Sequence, residues 1–197
     1  MESKSSGSDK FFPLPGKRIA IIGATGSGKT TLARKLCDVL CLYHVELDSI
    51  LWLPNWQKED WAVVQQLVQQ QMEHAGWVTD GNYSKLRNII WQQADTIIWL
   101  DYPFLLVFYR LLIRTMRRVI FRTRLWNNNR ESFRNTFLSK DSLFLWLFQS
   151  YPRLKEGYPQ LLHQPEYSHL KILRFNSPSQ TRRWLQRLFE FVKENGS

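Results

Sequence analysis

Cysteine and histidine are scarce in this 197-residue sequence, which contains two cysteines and four histidines. The cysteines, Cys37 and Cys41, are four residues apart, and two thiols are too few for a disulfide framework or a cysteine-based zinc site. We expect both to be reduced thiols of a cytoplasmic protein. The histidines show neither metal-ligand spacing nor a paired acid, so the sequence predicts no role for His44, His74, His163 and His169.

Long hydrophobic runs are also lacking. The most apolar stretch, residues 104–113, is broken by Arg110 and followed at once by Arg114, whereas a membrane-spanning helix needs about 20 apolar residues. Residues 1–16 lack the apolar core and the small-residue cleavage site of a secretory signal. They are rich in serine, lysine and proline, so we expect a flexible N-terminal segment and no membrane partner.

Enough apolar residues remain for a sizeable core. Hydrophobic residues make up 44% of the chain and aromatic residues 14%, which excludes disorder of the whole chain. The length fits one domain. We therefore predict a single domain at residues 17–197, with an arginine-bearing lid at about residues 115–140.

Strand patterns and helix patterns alternate along this domain. Residues 17–23 are a short, continuous apolar run that ends in glycine, as in a buried parallel strand. Five such strands alternating with helices predict an α/β fold, a three-layer sandwich with a five-stranded parallel sheet. The predicted strands are 17–23, 44–48, 77–80, 96–101 and 170–175, and the predicted helices are 29–40, 59–75, 84–92, 103–122, 141–155 and one capped by Ser177 and Gln180.

The segment GATGSGKT at residues 23–30 matches the phosphate-loop pattern G-x-x-x-x-G-K-[ST] between a strand and a helix. Its glycines let backbone N–H groups turn towards phosphate oxygens, and the positive end of the next helix points the same way. The pattern predicts that Lys29 contacts the β- and γ-phosphates of ATP and that the Thr30 hydroxyl is a Mg²⁺ ligand. The GTPase motif Asn-Lys-x-Asp is absent, which favours ATP. The residues expected to bind the nucleotide are Gly23, Ala24, Thr25, Gly26, Ser27, Gly28, Lys29, Thr30 and Thr31.

Three aspartates, Asp48, Asp80 and Asp101, lie at the ends of predicted strands. Ligands of a parallel sheet bind at the carboxyl ends of its strands, and Mg²⁺ prefers oxygen ligands. We expect Asp80, which precedes Gly81, to be the acid beside the metal. For Asp48 two roles stay open, holding metal-bound water or receiving a substrate hydroxyl. Asp101 is expected to cap the next helix.

Positive charge is concentrated in one stretch of a chain whose net charge is +10: residues 110–134 contain eight arginines and one acid, Glu131. Such a cluster binds nucleic acid, an acidic membrane surface or a small polyphosphate, and net charge does not choose among them. In a lid, the arginines would neutralise charge on a transferring phosphoryl group. Beside Trp126 and Phe133 they would grip a nucleic acid and stack its bases. The lid arginines in question are Arg114, Arg117, Arg118, Arg130 and Arg134.

Five short motifs spread over residues 17–175 together resemble a known family. They read GATGSGKTTLARKL, LDSILW, DGNY, LDYP and NRES. The set is similar to small bacterial proteins called adenylate-kinase-like or topology-modulation-related, which belong with the nucleoside monophosphate, shikimate and gluconate kinases. The resemblance implies a P-loop kinase fold, use of ATP and Mg²⁺, and a small-molecule phosphoryl acceptor.

The resemblance also implies roles for two arginines. In adenylate kinases, a strand that ends in Asp-x-Pro leads into a helix with two arginines one turn apart. Here Asp101-Tyr102-Pro103 is followed by Arg110 and Arg114 at the corresponding offsets. By this resemblance, Arg110 stacks on the ATP base and Arg114 is a catalytic phosphate ligand, roles that suit a planar guanidinium.

One motif departs from the adenylate kinases. Residues 80–84 read Asp-Gly-Asn-Tyr-Ser where those kinases carry Asp-Gly-x-Pro-Arg, and Arg87 lies three residues further on. The arginine that would hold a monophosphate is missing, so the acceptor stays open between AMP and a compound that is not a nucleotide. The expected acceptor residues are Asp48, Trp52, Tyr83 and Arg87, although Trp52 and Tyr83 equally suit core packing.

Two hypotheses of function follow. The first is an ATP-dependent small-molecule kinase with Lys29, Asp80 and Arg114 as catalytic residues and with Thr30 and Asp80 beside the metal. The second is a P-loop regulator whose ATP binding controls contact with nucleic acid or with a protein partner. The sequence does not indicate an oligomeric state.

Overall fold

The computed structural model describes residues 12–121, 126–129 and 143–195, in which strands and helices alternate. The strands are β1 (Arg18–Gly23), β2 (Tyr43–Glu46), β3 (Trp77–Asp80), β4 (Thr96–Leu100) and β5 (Lys171–Phe175). The α-helices are α1 (Lys29–Leu40), α2 (Leu47–Leu51), α3 (Trp61–Gln71), α4 (Arg87–Gln93), α5 (Phe104–Ile120), α6 (Leu143–Leu162) and α7 (Pro178–Asn195). Short 3-10 helices lie at Pro54–Trp56, Ser84–Leu86, Trp126–Asn128 and Pro165–Tyr167.

The strands form one parallel sheet in the order β2-β3-β1-β4-β5. The central strand β1 pairs with β3 and β4, which places Ile21 beside Asp80 and Gly23 beside Leu100. The carboxyl ends of β1 and β3 therefore lie side by side, next to the loop that follows β1. The predicted five-stranded parallel sheet is confirmed.

Helices cover both faces of the sheet. On one face, Ile19 and Ile21 of β1 join a core cluster that includes Leu32 of α1. On the other face, Ile22 joins a second cluster that includes Trp91 of α4. A strand that is buried on both faces needs no polar side, which explains why β1 is a continuous apolar run. The predicted three-layer α/β sandwich is confirmed.

The predicted second strand is wrong at its carboxyl end. β2 stops at Glu46, and α2 begins at Leu47, with Asp48 in its first turn. Leu47 and Leu51 are both buried, and a spacing of four residues suits one face of a helix. Asp48 therefore projects from a short helix and not from the end of a strand.

The helix predicted at 141–155 extends further than the sequence suggests. Helix α6 reaches Leu162 and contains Pro152 and Pro159, although a proline inside a helix costs about 3 kcal/mol. Tyr158 and Leu162 are buried in the core. Packing of these side chains outweighs the destabilising effect of the prolines. The sequence pattern reflects only the local effect, so the helix predicted from it ends too early.

The predicted cap of the last helix is confirmed. The Oγ atom of Ser177 accepts a hydrogen bond from the backbone N–H of Gln180 at 3.3 Å. The Gln180 side chain in turn accepts from the N–H of Asn176 at 2.8 Å, one residue before the position expected in a capping box. Trp184 and Leu188 lie on the buried side of α7.

Residues 12–16 pack against the sheet and α7. The indole N–H of Trp184 donates to the carbonyl oxygen of Pro13 at 3.0 Å, and Nζ of Lys171 donates to that of Leu14 at 2.9 Å. The rest of the N-terminal segment predicted to be flexible, residues 1–11, lies outside the described residues. The division of the chain at residue 16 stays a prediction.

Most of the predicted lid, residues 122–125 and 130–140, lies outside the described residues. Its described part is the end of α5 and residues 126–129. Asn129 donates to the carbonyl oxygen of Leu53 at 2.9 Å and accepts from the N–H of Trp56 at 3.0 Å. Residues 126–129 thus pack on the segment that follows α2. The arginines outside the described residues are Arg122, Arg124, Arg130 and Arg134.

Two expectations from composition concern thiols and membranes. Cys37 is half-buried, Cys41 is exposed, and both are free thiols. Of the helices in the described ranges, none combines the length and the apolar character that crossing a bilayer requires.

Candidate nucleotide and acceptor site

The phosphate loop connects β1 to α1 and depends on left-handed backbone conformations. Gly26 has φ +87° and Gly28 has φ +95°, values that side chains other than glycine rarely allow. Gly26 also approaches α5 closely, because a Cβ atom at this position would lie 2.5 Å from the carbonyl oxygen of Val107. The loop therefore needs glycine at residue 26 both for its turn and for its contact with α5.

Polar groups of the loop remain available for a ligand. Gly28 caps α1 without any side-chain hydrogen bond, so the first N–H groups of this helix can bind an anion. The Oγ atom of Ser27 is buried and has no hydrogen-bond partner among the described residues. A buried hydroxyl without a partner fits a loop that binds phosphate oxygens. Ala24 and Thr25 complete the loop, and Thr31 is exposed on α1.

Lys29 folds back onto its own loop. Its Nζ atom donates to the carbonyl oxygens of Gly23 at 2.8 Å and of Ala24 at 3.1 Å. Burial lowers the pKa of Lys29 to about 8, and the negative charges of Asp80 and Asp48 oppose this shift. Both carboxylates therefore lie close enough to Lys29 to act on its charge. A phosphate group would stabilise the same ammonium ion.

Asp80 joins the loop to the end of β3. The Thr30 hydroxyl donates to Oδ2 of Asp80 at 2.5 Å, so the two side chains predicted beside the metal are in direct contact. A hydroxyl and a carboxylate are the oxygen donors that Mg²⁺ prefers, so the residues present fit this ion. In the described ranges, no three His, Cys, Asp or Glu side chains converge as a metal site.

His44 contradicts the expectation that the histidines have no acidic partner. Its Nε2 atom lies 2.9 Å from Oδ1 of Asp80. Parallel pairing places His44 beside Val78 and Glu46 beside Asp80, so His44 and Asp80 are diagonal neighbours on one face of the sheet. The sequence signal was a histidine inside a short strand, which is informative only once β2 and β3 are known to be adjacent.

Asn82 is a second residue that the sequence reasoning missed. Its Oδ1 atom accepts from the N–H of Gly23 at 3.2 Å, and its Nδ2 atom donates to the carbonyl oxygen of Gly23 at 2.5 Å. These bonds hold the segment after β3 against the first residue of the phosphate loop. An asparagine directly after an Asp-Gly pair at a strand end was the available signal.

The expected acceptor residues Asp48, Trp52 and Tyr83 lie together. The Tyr83 hydroxyl donates to Oδ1 of Asp48, and Trp52 packs against the same core cluster as Tyr83. Burial raises the pKa of Asp48, whereas the Tyr83 hydrogen bond and the charge of Lys29 lower it. Burial raises the pKa of Tyr83 as well, so its hydroxyl keeps the hydrogen that it donates.

Arg87, the fourth expected acceptor residue, packs against Trp91 of α4. Its guanidinium carbon lies 5.4 Å from the ring centre of Trp91, and it has no hydrogen bond with Asp48, Trp52 or Tyr83 in the structure. Arg87 and Tyr83 line the same cavity of about 20 Å³. The buried hydroxyl of Thr79 also lines this cavity and has no partner among the described residues.

Arg110 and Arg114 lie on α5 beside the phosphate loop. Nη1 of Arg110 donates to the carbonyl oxygen of Ser27 at 3.4 Å, and its guanidinium carbon lies 5.7 Å from the ring centre of Tyr102. The charge of Arg114 lowers the pKa of Lys29, so these two cations are close. An open groove of about 430 Å³ runs along this side of α5; it is lined by Tyr109, Arg110, Ile113, Arg114, Arg117, Arg118 and Phe121.

Asp101 does not cap the next helix, so this prediction is wrong. It lies one residue beyond β4, and its buried carboxylate accepts from Nζ of Lys155 at 2.8 Å and from Nε of Arg174 at 2.9 Å. These cations come from α6 and β5, while Pro103 occupies the cap position of α5. Asp101 therefore ties the end of β4 to α6 and β5.

Comparison with known proteins supports the fold. Neither a scan against protein-family models nor a search of curated proteins found a match. Among solved structures, a shikimate kinase from Bacteroides thetaiotaomicron is similar, with 17% identity, a TM-score of 0.50, and coverage of 90% of this chain and 98% of that one. A shikimate kinase from Acinetobacter baumannii in complex with shikimate has 17% identity, a TM-score of 0.52, and coverage of 94% and 96%. The chain therefore has the fold of small P-loop kinases.

Proposed function

We propose that this protein is an ATP-dependent phosphotransferase that uses Mg²⁺ and transfers the γ-phosphoryl group to a hydroxyl of a small molecule. The observation that carries the proposal is the position of Asp48 beside Lys29, where the charge of each residue shifts the pKa of the other. The acid that would receive an acceptor hydroxyl thus lies next to the lysine that would hold the phosphate. Nucleotide binding alone does not need such an acid.

The proposed reaction forms a bond between the acceptor oxygen and the γ-phosphorus. The bond from that phosphorus to the oxygen that bridges to the β-phosphate breaks, and ADP leaves with the electron pair. Asp48 accepts the proton of the acceptor hydroxyl. Lys29 and Arg114 offset the negative charge on the phosphoryl oxygens. Mg²⁺ supplies further positive charge when bound, and Thr30 and Asp80 would hold it.

The acceptor side favours a compound that is not a nucleotide. Asp48 and the Tyr83 hydroxyl offer hydrogen bonds to a hydroxyl-bearing ring, and Trp52 adds an aromatic surface. Ser84 stands where adenylate kinases carry the arginine for a monophosphate, and it is exposed. Arg87, which lines the same small cavity as Tyr83, would supply a positive charge for a charged substituent of such an acceptor.

A panel of acceptors tests the proposal. ADP release from ATP and Mg²⁺ is measured with nucleoside monophosphates, nucleosides, sugars and sugar acids. We expect one chemical class to raise the rate above the slow hydrolysis of ATP, and we expect Lys29→Ala to abolish this increase. Lys35→Ala, which changes an exposed lysine six residues further along α1, is the matched control. Turnover of Lys29→Ala equal to wild type at saturating ATP would overturn the proposal.

One observation favours the alternative function, a regulator that contacts nucleic acid. Arg117 and Phe121 are exposed at the end of α5. This combination of positive charge and aromatic surface suits the binding of single-stranded nucleic acid. In that case affinity for DNA or RNA should fall steeply with salt. A protein that binds nucleic acid in this way and releases no ADP with any acceptor would favour the regulator.

A further inference from the structure

His44 has no part in the proposed reaction, although it contacts one of its central residues. The imidazole lies 2.9 Å from Asp80, and the side chain is 18% exposed. A carboxylate only accepts hydrogen bonds, so Nε2 of His44 carries the hydrogen in this contact. The histidine therefore donates a directed hydrogen bond to the acid beside the proposed metal site.

The two oxygens of Asp80 are held from two different elements. Oδ1 accepts from His44 of β2, and Oδ2 accepts from the hydroxyl of Thr30 in α1. Asp80 itself is only 6% exposed, so water has little access to the carboxylate. Together the two contacts fix the plane of the carboxylate, a torsion that otherwise varies broadly.

We propose that His44 is a positioning residue for the metal-assisted binding of nucleotide: it orients Asp80 so that Oδ2 stays directed at Thr30 and the phosphate loop. This inference rests on the proposed function, because it assumes that Thr30 and Asp80 hold Mg²⁺. Hydrogen bonds that orient a carboxylate near a metal typically change metal affinity by 10–100-fold.

Lys29 explains why the orientation matters. Asp80 is close enough to raise the pKa of Lys29. A carboxylate that is free to rotate would turn towards this cation. In the resulting ion pair, the carboxylate oxygen would no longer be available to the metal, and the charge of Lys29 would no longer be available to the phosphates. His44 opposes that rotation by holding Oδ1 on the β2 side.

The test measures how ADP affinity depends on metal. A fluorescent ADP analogue is titrated into the wild-type protein and its variants at increasing Mg²⁺ and in EDTA. For His44→Ala we expect the Mg²⁺ concentration at half-effect to rise about tenfold, with affinity in EDTA changed less than about twofold. For His44→Gln we expect recovery of most of the loss, because the side-chain amide can donate to Oδ1. Asp80→Asn should shift the Mg²⁺ dependence at least as far as His44→Ala.

His74→Ala is the matched control. The ring of His74 stacks on that of Tyr43 with ring centres 4.2 Å apart, and Tyr43 lies at the opposite end of β2 from Glu46. We expect the His74→Ala substitution to leave the Mg²⁺ titration unchanged. If His44→Ala does not fold, His44→Gln is compared with His44→Asn, whose amide is one methylene shorter and falls short of Oδ1. Thermal melts of each variant establish that the folded protein is being measured.

The outcomes separate the inference from the function on which it rests. Equal loss of ADP affinity in Mg²⁺ and in EDTA for His44→Ala would overturn the positioning role, as would a titration identical to that of His74→Ala. Failure of glutamine to do better than alanine or asparagine would also overturn it. If the ADP affinity of the wild-type protein does not depend on Mg²⁺, that result would overturn the metal-assisted function itself, and the role of His44 with it.

Discussion

The ammonium group of Lys29 lies 2.8 Å from the carbonyl oxygen of Gly23, so the seventh residue of the phosphate loop is bonded to the first. The same group contacts the carbonyl oxygen of Ala24. A phosphate must compete with these carbonyls for Lys29. Because burial keeps the pKa of this lysine near 8, the competition depends on pH.

We expect the affinity for ADP, measured in EDTA, to fall as pH rises through about 8. Phosphate binds the charged form of Lys29. Above the pKa of Lys29, the free protein must take up a proton when ADP binds, so the affinity for ADP declines by up to about tenfold per pH unit. Asp48→Asn removes a charge that raises the pKa of Lys29, so the decline should begin at lower pH. Isothermal titration at pH 6.5–9.5 checks both expectations. An affinity that stays constant across this range would show that Lys29 does not titrate there.

We expect kcat/KM for transfer to fall on the acid side as Asp48 is protonated, since only its carboxylate form accepts the hydroxyl proton. Burial raises the pKa of Asp48 and the Tyr83 hydrogen bond lowers it. Tyr83→Phe removes that hydrogen bond, so the acid limb should move to higher pH. Tyr43→Phe, at an exposed position stacked on His74, should leave the limb in place. A limb that moves to lower pH in Tyr83→Phe would contradict the role of Asp48.

The two arginines of α5 should separate binding from chemistry. Arg110→Ala removes a contact expected both before and during transfer, so KM for ATP should rise with little change in kcat. Arg114→Ala should raise the activation free energy by about 2–4 kcal/mol, by analogy with the loss of one oxyanion donor, and so lower kcat. Arg114→Lys should not restore kcat fully, because an ammonium cannot form the bidentate contact. Steady-state kinetics with the identified acceptor provide the measurement.

One result would reassign these arginines. If both alanine variants keep their kinetic constants and both lose affinity for nucleic acid to the same degree, then Arg110 and Arg114 form a binding surface. That result would favour the regulator.

Asp101 should matter for stability more than either of its partners. Asp101→Ala removes the buried centre of the contacts with Lys155 and Arg174. We expect a loss of about 1–3 kcal/mol in the free energy of unfolding, less than for a fully buried pair, because both cations are nearly half exposed and can be hydrated. Lys155→Ala should cost less than about 1 kcal/mol, since Arg174 still pairs with Asp101. Urea unfolding measures both changes, and equal losses would contradict this ranking.

The elements that carry a strong local signal could be predicted from the sequence. The phosphate loop is set by eight consecutive residues, and α1 has the predicted bounds Lys29–Leu40. Strands β1 and β4 are recognisable because burial on both faces leaves them almost continuously apolar. Helix α2 escaped prediction because five residues are too few to show a helical period, and this moved Asp48 from a strand end to a helix.

Contacts between distant segments could not be predicted in the same way. The pair of His44 and Asp80 requires β2 to lie beside β3, and the pairing of Asp101 with Arg174 requires β5 to lie beside β4. Strand order is a property of the whole chain, and no local pattern encodes it. The acids were identified because their type and position at strand ends carry chemistry, but their partners come from elements that only the fold brings near.

The close approach of Gly26 to Val107 has a thermodynamic consequence for ligand binding. A side chain at residue 26 would collide with the backbone of α5, the helix that carries Arg110 and Arg114. Because residue 26 has no side chain, the loop packs directly on α5. The N–H groups that would bind phosphate and the guanidinium groups of α5 therefore reach their relative positions when the chain folds. A nucleotide then meets a preorganised site, and little conformational entropy is lost in assembling it at the moment of binding.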